Sequence, residues 1–458
     1  MKSNTAPTSF FQPLASLYTP FYQSQCVVYK NEILICGVKH KKDCYSYHTV
    51  KNQYRHICSY PTSAKLNGHC VIKLVSDNPK YVTLLSFGGT KNKKHTLIMN
   101  YVSVWDDDNC NDGMKSEQTK NLNQWIPFVD KKKYRISIGI KQSDFSRIRA
   151  LIGGKENNLL FITYYPNNID VFDLENGRHV CNTTLPIGSG KISNHCFVSK
   201  TKTEMLLFCK DIGLSIVYEE EEEDCSFRFD RLYVCSTIRA LDRYAYVSIG
   251  DVILFFGGYI DFDIGASKTV HKYSITEDKW MQFEHTLPVA MSDCFGLSYG
   301  NEDNTYVHII GGHDGISPLT THWKTSVIQW MNEETEKERK WINDEKEREK
   351  IEQTRIELTK ISNNFQINVL RVGFFFFLNG NGKINTHTHT HTKRRKEIDM
   401  IIKHWNRILF IKKGWIDDFN VIISQYILVT FFFFFCNMML AFEKQSKKGK
   451  KKKKNKHS

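Results

Sequence analysis

Three groups of residues in this sequence have side chains that could hold a metal ion. The acidic stretch Trp105–Gly113 has carboxylates at short spacings, but its central glycine is the eighth residue from Asp106, not the sixth as in a calcium loop. The Thr–His alternation at His387, His389 and His391 offers imidazole ligands. We interpret the first stretch as a solvated loop. We interpret the second as a translated nucleotide repeat, a hypothesis that sequencing the transcript would test.

The thirteen cysteines form the third group. The chain contains no Cys-x-x-Cys pair, and Met1–Leu17 lacks the apolar core of a secretory signal. The cysteines Cys26, Cys70, Cys196 and Cys294 each open an apolar strand of a repeating unit. This pattern predicts reduced, buried cysteines in a cytoplasmic protein, with metal binding as the alternative.

Sequence motifs that mark common enzymes are missing from the chain. We find no phosphate-binding glycine loop, nucleophile elbow or metalloprotease helix motif. We therefore expect a protein without catalytic residues, cofactor or metal. The expected function then depends on where the fold places the remaining polar residues.

A unit of about 50 residues recurs six times and organises the chain. Its clearest part is an apolar strand, which ends in glycine at Glu32–Val38, Thr83–Gly89, Val252–Gly258 and Tyr306–Gly312, and without glycine at Leu159–Tyr165 and Met205–Asp211. An aromatic residue follows, with a second landmark seven residues later, in the pairs Tyr47/Tyr54, Phe172/His179, Tyr218/Cys225 and Tyr273/Trp280. A repeat of this length predicts a modular fold before any other feature is considered.

These units resemble kelch repeats, each of which forms a four-stranded blade of a β-propeller. The unit Ser248–Pro288 has the whole pattern, and the pattern positions across the chain are Gly37, Gly88, Gly89, Gly257, Gly258, Tyr273, Trp280, Gly311 and Gly312. The resemblance covers residues 19–330 and implies an all-β, six-bladed kelch-type propeller. Copper oxidases of the galactose oxidase type share that fold, but their Tyr/His copper set cannot be placed here. We keep such an enzyme as a remote alternative.

The two ends of the repeat array are expected to close the ring. Unit six stops early, and residues 8–22 read as the last strand of a blade, so residues 1–22 are predicted to complete blade six beside Thr325–Trp330. The predicted segments are the closing strand at 1–22, the propeller at 23–330, a charged helix at 331–362, a low-complexity linker and possible retained non-coding sequence at 363–396, a helical hairpin at 397–428, and a Phe-rich stretch with a poly-Lys tail at 429–458.

The net charge of +14 belongs mostly to the C-terminal part of the chain, because residues 393–458 contribute +12. The nearly neutral propeller therefore gives no indication of a specific nucleic-acid partner. The apolar stripe of the charged helix is too sparse for a convincing coiled coil. Residues 419–442 contain no charge and are long enough to span a bilayer, so a membrane-anchored propeller remains an alternative.

The expected function is a non-catalytic scaffold or adaptor that binds an unknown protein partner. Kelch propellers generally bind partner proteins through loops on their faces, and about 20 residues before the propeller leave no room for a BTB-like or F-box-like segment. The polar residues that we expect in partner-binding loops are His40, His69, His195, Asp293 and His313. For His69 and His195, which each precede a repeat cysteine, the simplest expectation is a surface or edge position.

Overall fold

A computed structural model describes residues 10–356 apart from 39–40, 76–79, 107–120, 131, 141–142, 221–224, 262 and 302–303. Several predictions lie outside the described residues. They concern the acidic stretch beyond Asp106, His40, the three histidines of the Thr–His alternation, and everything after residue 356. That last part includes the predicted linker, helical hairpin and membrane-spanning stretch.

Six antiparallel sheets of four strands account for the fold, and the predicted six-bladed arrangement is confirmed. Blade one consists of β2 (Gln25–Tyr29), β3 (Glu32–Val38), β4 (Lys41–His48) and β5 (Gln53–Ser59). Blade two consists of β6 (Cys70–Leu74), β7 (Val82–Thr90), β8 (Lys93–Tyr101) and β9 (Ile126–Pro127). Blade three consists of β10 (Arg149–Gly153), β11 (Leu159–Tyr164), β12 (Asn168–Asp173) and β13 (Arg178–Thr184). Blade four consists of β14 (Cys196–Ser199), β15 (Glu204–Cys209), β16 (Ile212–Glu220) and β17 (Cys225–Arg231). Blade five consists of β18 (Ala245–Ile249), β19 (Val252–Phe256), β20 (Val270–Ser274) and β21 (Lys279–Gln282). Blade six consists of β22 (Phe295–Tyr299), β23 (Tyr306–Ile310), β24 (His322–Ser326) and β1 (Gln12–Pro13).

The core consists of six apolar clusters, each between two neighbouring blades. Successive residues of a strand point to opposite faces, so Ile253 and Phe255 of β19 pack toward blade four, whereas Leu254 and Phe256 pack toward blade six. A strand buried on both faces reads as a continuous apolar run, because neither face meets water. This is why the second strand of every unit gave the strongest sequence signal.

The chain's first strand closes blade six, as predicted. Gln12 pairs with Lys324 and Pro13 with Trp323 in an antiparallel register. The Leu14 N–H then donates to the His322 carbonyl at 2.9 Å, and the Leu17 N–H donates to the Thr320 carbonyl at 3.0 Å. The ends of the array are therefore joined by backbone hydrogen bonds within one sheet.

The structure corrects four details of the predicted strands. The paired residues Lys324 and Trp323 lie one and two residues before the predicted Thr325–Trp330, and Val327–Trp330 form the short helix α1. Unit two is longer than the predicted repeat of about 50 residues, since its fourth strand, β9, begins only at Ile126. Tyr218 pairs with Phe227 rather than with Cys225, because two further residue pairs separate Tyr218 from the turn, whereas one pair separates Tyr47 from the turn in blade one. Only Cys70 and Cys196 open their strands, whereas Cys26 lies one residue later and Cys294 one residue earlier than that position.

The cysteines only partly follow the prediction. Nine of the described cysteines are free, and all but Cys58 of these are buried. Cys181 is disulfide-bonded, so the expectation of a fully reduced protein is wrong. The cysteines therefore do not assign the cellular compartment.

A second helix, α2 (residues 336–356), packs against blade five. The Glu345 carboxylate accepts hydrogen bonds from Tyr233 Oη at 2.7 Å and from Ser236 N at 2.5 Å. Burial would raise the pKa of Glu345, but these hydrogen bonds outweigh it and hold the pKa below its usual value. Ile342 is buried in the cluster between blades five and six. The packed structure therefore continues beyond residue 330.

Candidate functional site

A ring of six left-handed residues marks the place where the chain enters each inner strand. Each of them lies two residues before the first residue of that strand, and their φ angles lie between 50° and 60°: Gln23, Gly68, Arg147, Asn194, Arg243 and Asp293. Five of the six are not glycine, although this conformation is uncommon for residues with a Cβ. We call this ring the channel mouth. The repeated strain indicates that the surrounding blades hold these residues in place.

A cavity opens at the channel mouth and receives residues from all six blades. Its empty volume is about 320 Å³, including the part open to solvent. The lining residues are Gln23, Ser24, Gln25, Gly68, Arg149, Asn194, Arg243, Tyr244, Asp293, Cys294 and Phe295. Small-molecule pockets are usually lined by apolar and aromatic side chains, so this mostly polar lining is better suited to polar recognition.

The charges at the mouth are only partly paired. Arg243 lies 3.5 Å from Asp242 and 3.7 Å from Asp293, and Gln23 donates a hydrogen bond of 3.1 Å to Asp293. Burial raises the pKa of Asp293, while the Arg243 guanidinium acts in the opposite direction. Within the described ranges, no carboxylate lies within 4.0 Å of the Arg149 side chain. The same is true of Arg147, so Arg147 and Arg149 are the arginines at the mouth that have no carboxylate partner among the described residues.

Two of the predicted loop histidines are buried between blades. His69 is 0% exposed and His195 is 1% exposed, so the surface position expected for them is wrong. His69 Nε2 donates to the Cys36 carbonyl at 3.0 Å, and His195 Nε2 lies 2.6 Å from Thr163 Oγ1. Both partners occupy the same position at the end of the second strand in the preceding blade. These histidines therefore join adjacent blades and are not accessible to a partner.

The remaining predicted loop residues lie at or beside the mouth. The Asp293 side chain is buried beside Arg243. The half-buried His313 pairs with Ser292 through an isolated β-bridge directly before Asp293. The structure thus brings Asp293 and His313 together and separates them from the buried His69 and His195.

We expect the buried histidines to make folding sensitive to acid. Burial and the nearby His95 lower the pKa of His69 to about 3, and burial lowers that of His271 to about 4. Both stay neutral in the folded protein while the unfolded chain takes up protons below the ordinary pKa of 6.5, so stability falls as the pH drops from 6.5 toward the folded values. Each histidine contributes a slope of about 1.4 kcal/mol per pH unit in that interval.

Urea unfolding at about pH 7.5 and about pH 5.5 measures this effect. The His271→Gln variant serves as a comparison, because glutamine occupies the position without titrating. Its loss of stability between the two pH values should be smaller than that of the natural chain. Equal losses in the two proteins would show that His271 does not contribute.

Two long loops stand beside the channel mouth. The loop between the second and third strands has two or three residues in blades one to four, but spans residues 257–269 in blade five and 311–321 in blade six. Isolated bridges tie Tyr259 to Asp242 and His313 to Ser292, the residues just before the mouth. The Arg243 guanidinium lies 5.0 Å from the centre of the Tyr259 ring. The rigid mouth thus positions both loops.

Five of the six mouth residues were not predicted from the sequence, namely Gln23, Gly68, Arg147, Asn194 and Arg243. Arg149, which lines the cavity, was not predicted either. Gly68, Asn194 and Asp293 directly precede His-Cys or Cys, and all three are residue types that tolerate a left-handed backbone. That signal could have found three of the six mouth positions. The arginines carry no comparable signal, since arginine has no preference for this conformation.

Cys294 is the cysteine among the residues that line the cavity. Burial raises the pKa of the Cys294 thiol to about 12, so the thiol is protonated at neutral pH and is a poor nucleophile. In the part of the chain that the structure describes, no group of three or more His, Cys, Asp or Glu side chains is arranged to hold a metal ion. No helix among those same residues is long and apolar enough to cross a membrane.

The closed ring of six four-stranded sheets defines the chain as a six-bladed β-propeller. Among solved structures it is similar to one titled "Structure of YjhT", at 11% sequence identity and a TM-score of 0.47. That match covers 68% of this chain and 95% of the other. No family model and no curated protein matches the sequence.

Proposed function

We propose that the chain is a kelch-type propeller that acts as a non-catalytic protein-interaction module. The kelch assignment is supported by the glycine pairs of blades five and six, because the second glycine of each pair makes an equivalent backbone hydrogen bond. The Gly258 N–H donates to the Met291 carbonyl at 2.9 Å, and the Gly312 N–H donates to the Phe21 carbonyl at 2.6 Å. In each case the acceptor lies on the connection that leads into the next blade.

The Tyr–Trp part of the kelch pattern is also supported by geometry. Tyr273 and Trp280 are buried cross-strand partners, and the Tyr273 hydroxyl donates to Asp278 at 2.7 Å. Tyr47 and Tyr54 are paired in the same way in blade one, where the Tyr47 hydroxyl donates to Asn52 at 2.8 Å. In both blades, the residue seven positions after the tyrosine is therefore its cross-strand partner.

The observation that carries the proposed function is the long-loop pair beside a polar mouth. Loops held on a rigid scaffold are common sites of protein binding. Here both long loops stand beside the mouth, and Arg149, which lines the cavity from blade three, has no carboxylate within 4.0 Å among the described residues. We expect a protein partner to approach this face.

Affinity capture with the full chain tests the proposal. The natural protein is compared with Arg149→Glu at the mouth and with Arg228→Glu on the outermost strand of blade four. A genuine partner should be recovered about tenfold less with the mouth variant and equally well with the outer variant. Equal recovery with all three proteins, or recovery that depends only on Arg228, would overturn the assignment of this face.

A further inference from the structure

The tips of the two long loops touch each other and carry the exposed isoleucines of this face. A Cβ placed on Gly315 would lie 3.4 Å from Ala266 N and 3.6 Å from Gly265 Cα, so the two backbones are in close approach. Next to these contact points, Ile264 is 66% exposed and Ile316 is 92% exposed. We call Asp261, Asp263, Ile264 and Gly265 of blade five, with Asp314, Gly315, Ile316 and Ser317 of blade six, the paired tips.

Each isoleucine is held by an aspartate-capped turn. The Ile264 N–H donates to Asp261 Oδ1 at 2.8 Å, and the Ile316 N–H donates to Asp314 Oδ1 at 2.7 Å. The Asp263 N–H also donates to Asp261 Oδ1, at 3.0 Å, and the Ser317 N–H donates to Asp314 Oδ1, at 2.7 Å. These bonds fix the N–H groups of both isoleucines, so the backbone beneath each apolar side chain is held by an aspartate.

The paired tips are acidic as well as apolar. Backbone hydrogen bonds from Ser317 and Ile316 hold the pKa of Asp314 below its usual value, so that carboxylate is charged at neutral pH. Lys268, on the returning part of the blade-five loop, directs its ammonium to the Pro288 carbonyl at 3.1 Å. Two exposed isoleucines flanked by Asp261, Asp263 and Asp314 present a partner with an apolar centre and a negative rim.

We propose that the paired tips insert Ile264 and Ile316 into an apolar pocket of a partner protein whose rim carries lysine or arginine. This inference rests on the proposed function and specifies the chemistry of the partner. The isoleucines supply the apolar contact area, and the aspartates pair with the basic rim. An anionic membrane surface is disfavoured as the occupant, because its headgroups would repel the carboxylates.

Selection of peptides from a random displayed library on the full-length chain tests this surface. The selected peptides should contain large apolar residues flanked by lysine or arginine, and synthetic versions with those basic residues changed to glutamate should bind at least about tenfold more weakly. The Ile264→Asp, Ile316→Asp double variant should lose binding by a similar factor. Val50→Asp is the matched control, because Val50 is 76% exposed in the hairpin between β4 and β5, away from the paired tips.

A charge variant separates electrostatics from loop structure. Asn at positions 261, 263 and 314 keeps a side-chain carbonyl for the turns but removes the charge, so Asp261→Asn, Asp263→Asn and Asp314→Asn together should slow association and abolish its salt dependence. Acidic selected peptides, or binding unchanged in the isoleucine double variant, would overturn the inference. Selected peptides lost only with Arg149→Glu would overturn it while supporting the proposed function, and peptides insensitive to both sets of variants would contradict both. Self-association of the chain that disappears in the isoleucine double variant would identify a second copy as the occupant and likewise overturn the inference.

Discussion

Gly311→Ala is expected to lower the free energy of unfolding by about 3–5 kcal/mol. Gly311 has φ +65°, and a Cβ there would lie 2.1 Å from the Phe21 carbonyl oxygen. The methyl group cannot be accommodated unless blade six moves away from the connection into blade one. That movement would also weaken the hydrogen bond from the Gly312 N–H to the same carbonyl. Chemical denaturation of the two proteins measures the difference.

Two other glycines separate backbone strain from the steric contact. Gly250 has φ +55°, but a methyl group added there would meet no atom within 4 Å, so Gly250→Ala should cost only about 1–2 kcal/mol. Gly257 has φ +64°, and its Cβ would lie 2.2 Å from the Met291 carbonyl oxygen, so Gly257→Ala should behave like Gly311→Ala. Equal losses at Gly250 and Gly311 would show that the close approach between blades adds nothing.

The blades could be predicted from the sequence because their inner architecture is repeated and buried. A strand such as β19 packs on both faces, so every residue from Ile253 to Phe256 is apolar, and the next connection requires glycine at Gly257. Pairings across irregular hairpins could not be predicted in the same way. Tyr218 pairs with Phe227 rather than Cys225 because its turn begins one residue later than the turn after Tyr47, and the position of the turn sets the register.

The candidate site was harder to predict because exposure depends on the neighbouring blade. His69 and His195 stand at strand starts, where a polar residue normally suggests a loop, but the preceding blade covers both. The contact between Gly265 and Gly315 joins loops about 50 residues apart, one repeat length, and no local pattern records it. Repeats therefore reveal the scaffold, whereas tertiary contacts define the surface that it presents.

Removal of residues 1–22 is expected to have the largest effect on stability. The deletion takes away three buried side chains, Phe11, Leu17 and Phe21, and each such loss costs about 2–5 kcal/mol. It also removes β1 from β24, and Phe10 and Phe11 from Trp330, whose ring centre lies 5.2 Å and 5.6 Å from theirs. The combined loss is comparable to the whole stability of a typical domain, about 5–15 kcal/mol.

The position of β1 beside β24 determines how the shortened protein should behave. Without it, β24 becomes an exposed edge with unpaired backbone groups, and an exposed edge favours pairing with another chain. The shortened protein should therefore unfold at much lower denaturant concentration and associate, as measured by urea titration and size-exclusion chromatography. Phe21→Ala should reproduce part of the loss, about 3–5 kcal/mol. Tyr18→Ala in the same segment should cost clearly less, because Tyr18 is 69% exposed and loses only ring contacts with Tyr45 and Tyr54 and one hydrogen bond of 3.2 Å to the Tyr54 carbonyl.

A synthetic peptide of residues 10–22 distinguishes closure of the ring from a general need for these residues during folding. If the segment acts by filling the fourth place in blade six, the peptide should bind the shortened chain, raise its unfolding midpoint and reverse its association. The same peptide with alanine in place of Phe11 and Phe21 should do neither, since it retains the backbone donors but lacks the buried side chains. A shortened chain that remains monomeric and unfolds at the same midpoint as the full chain would show that backbone pairing between β1 and β24 does not hold the ring together.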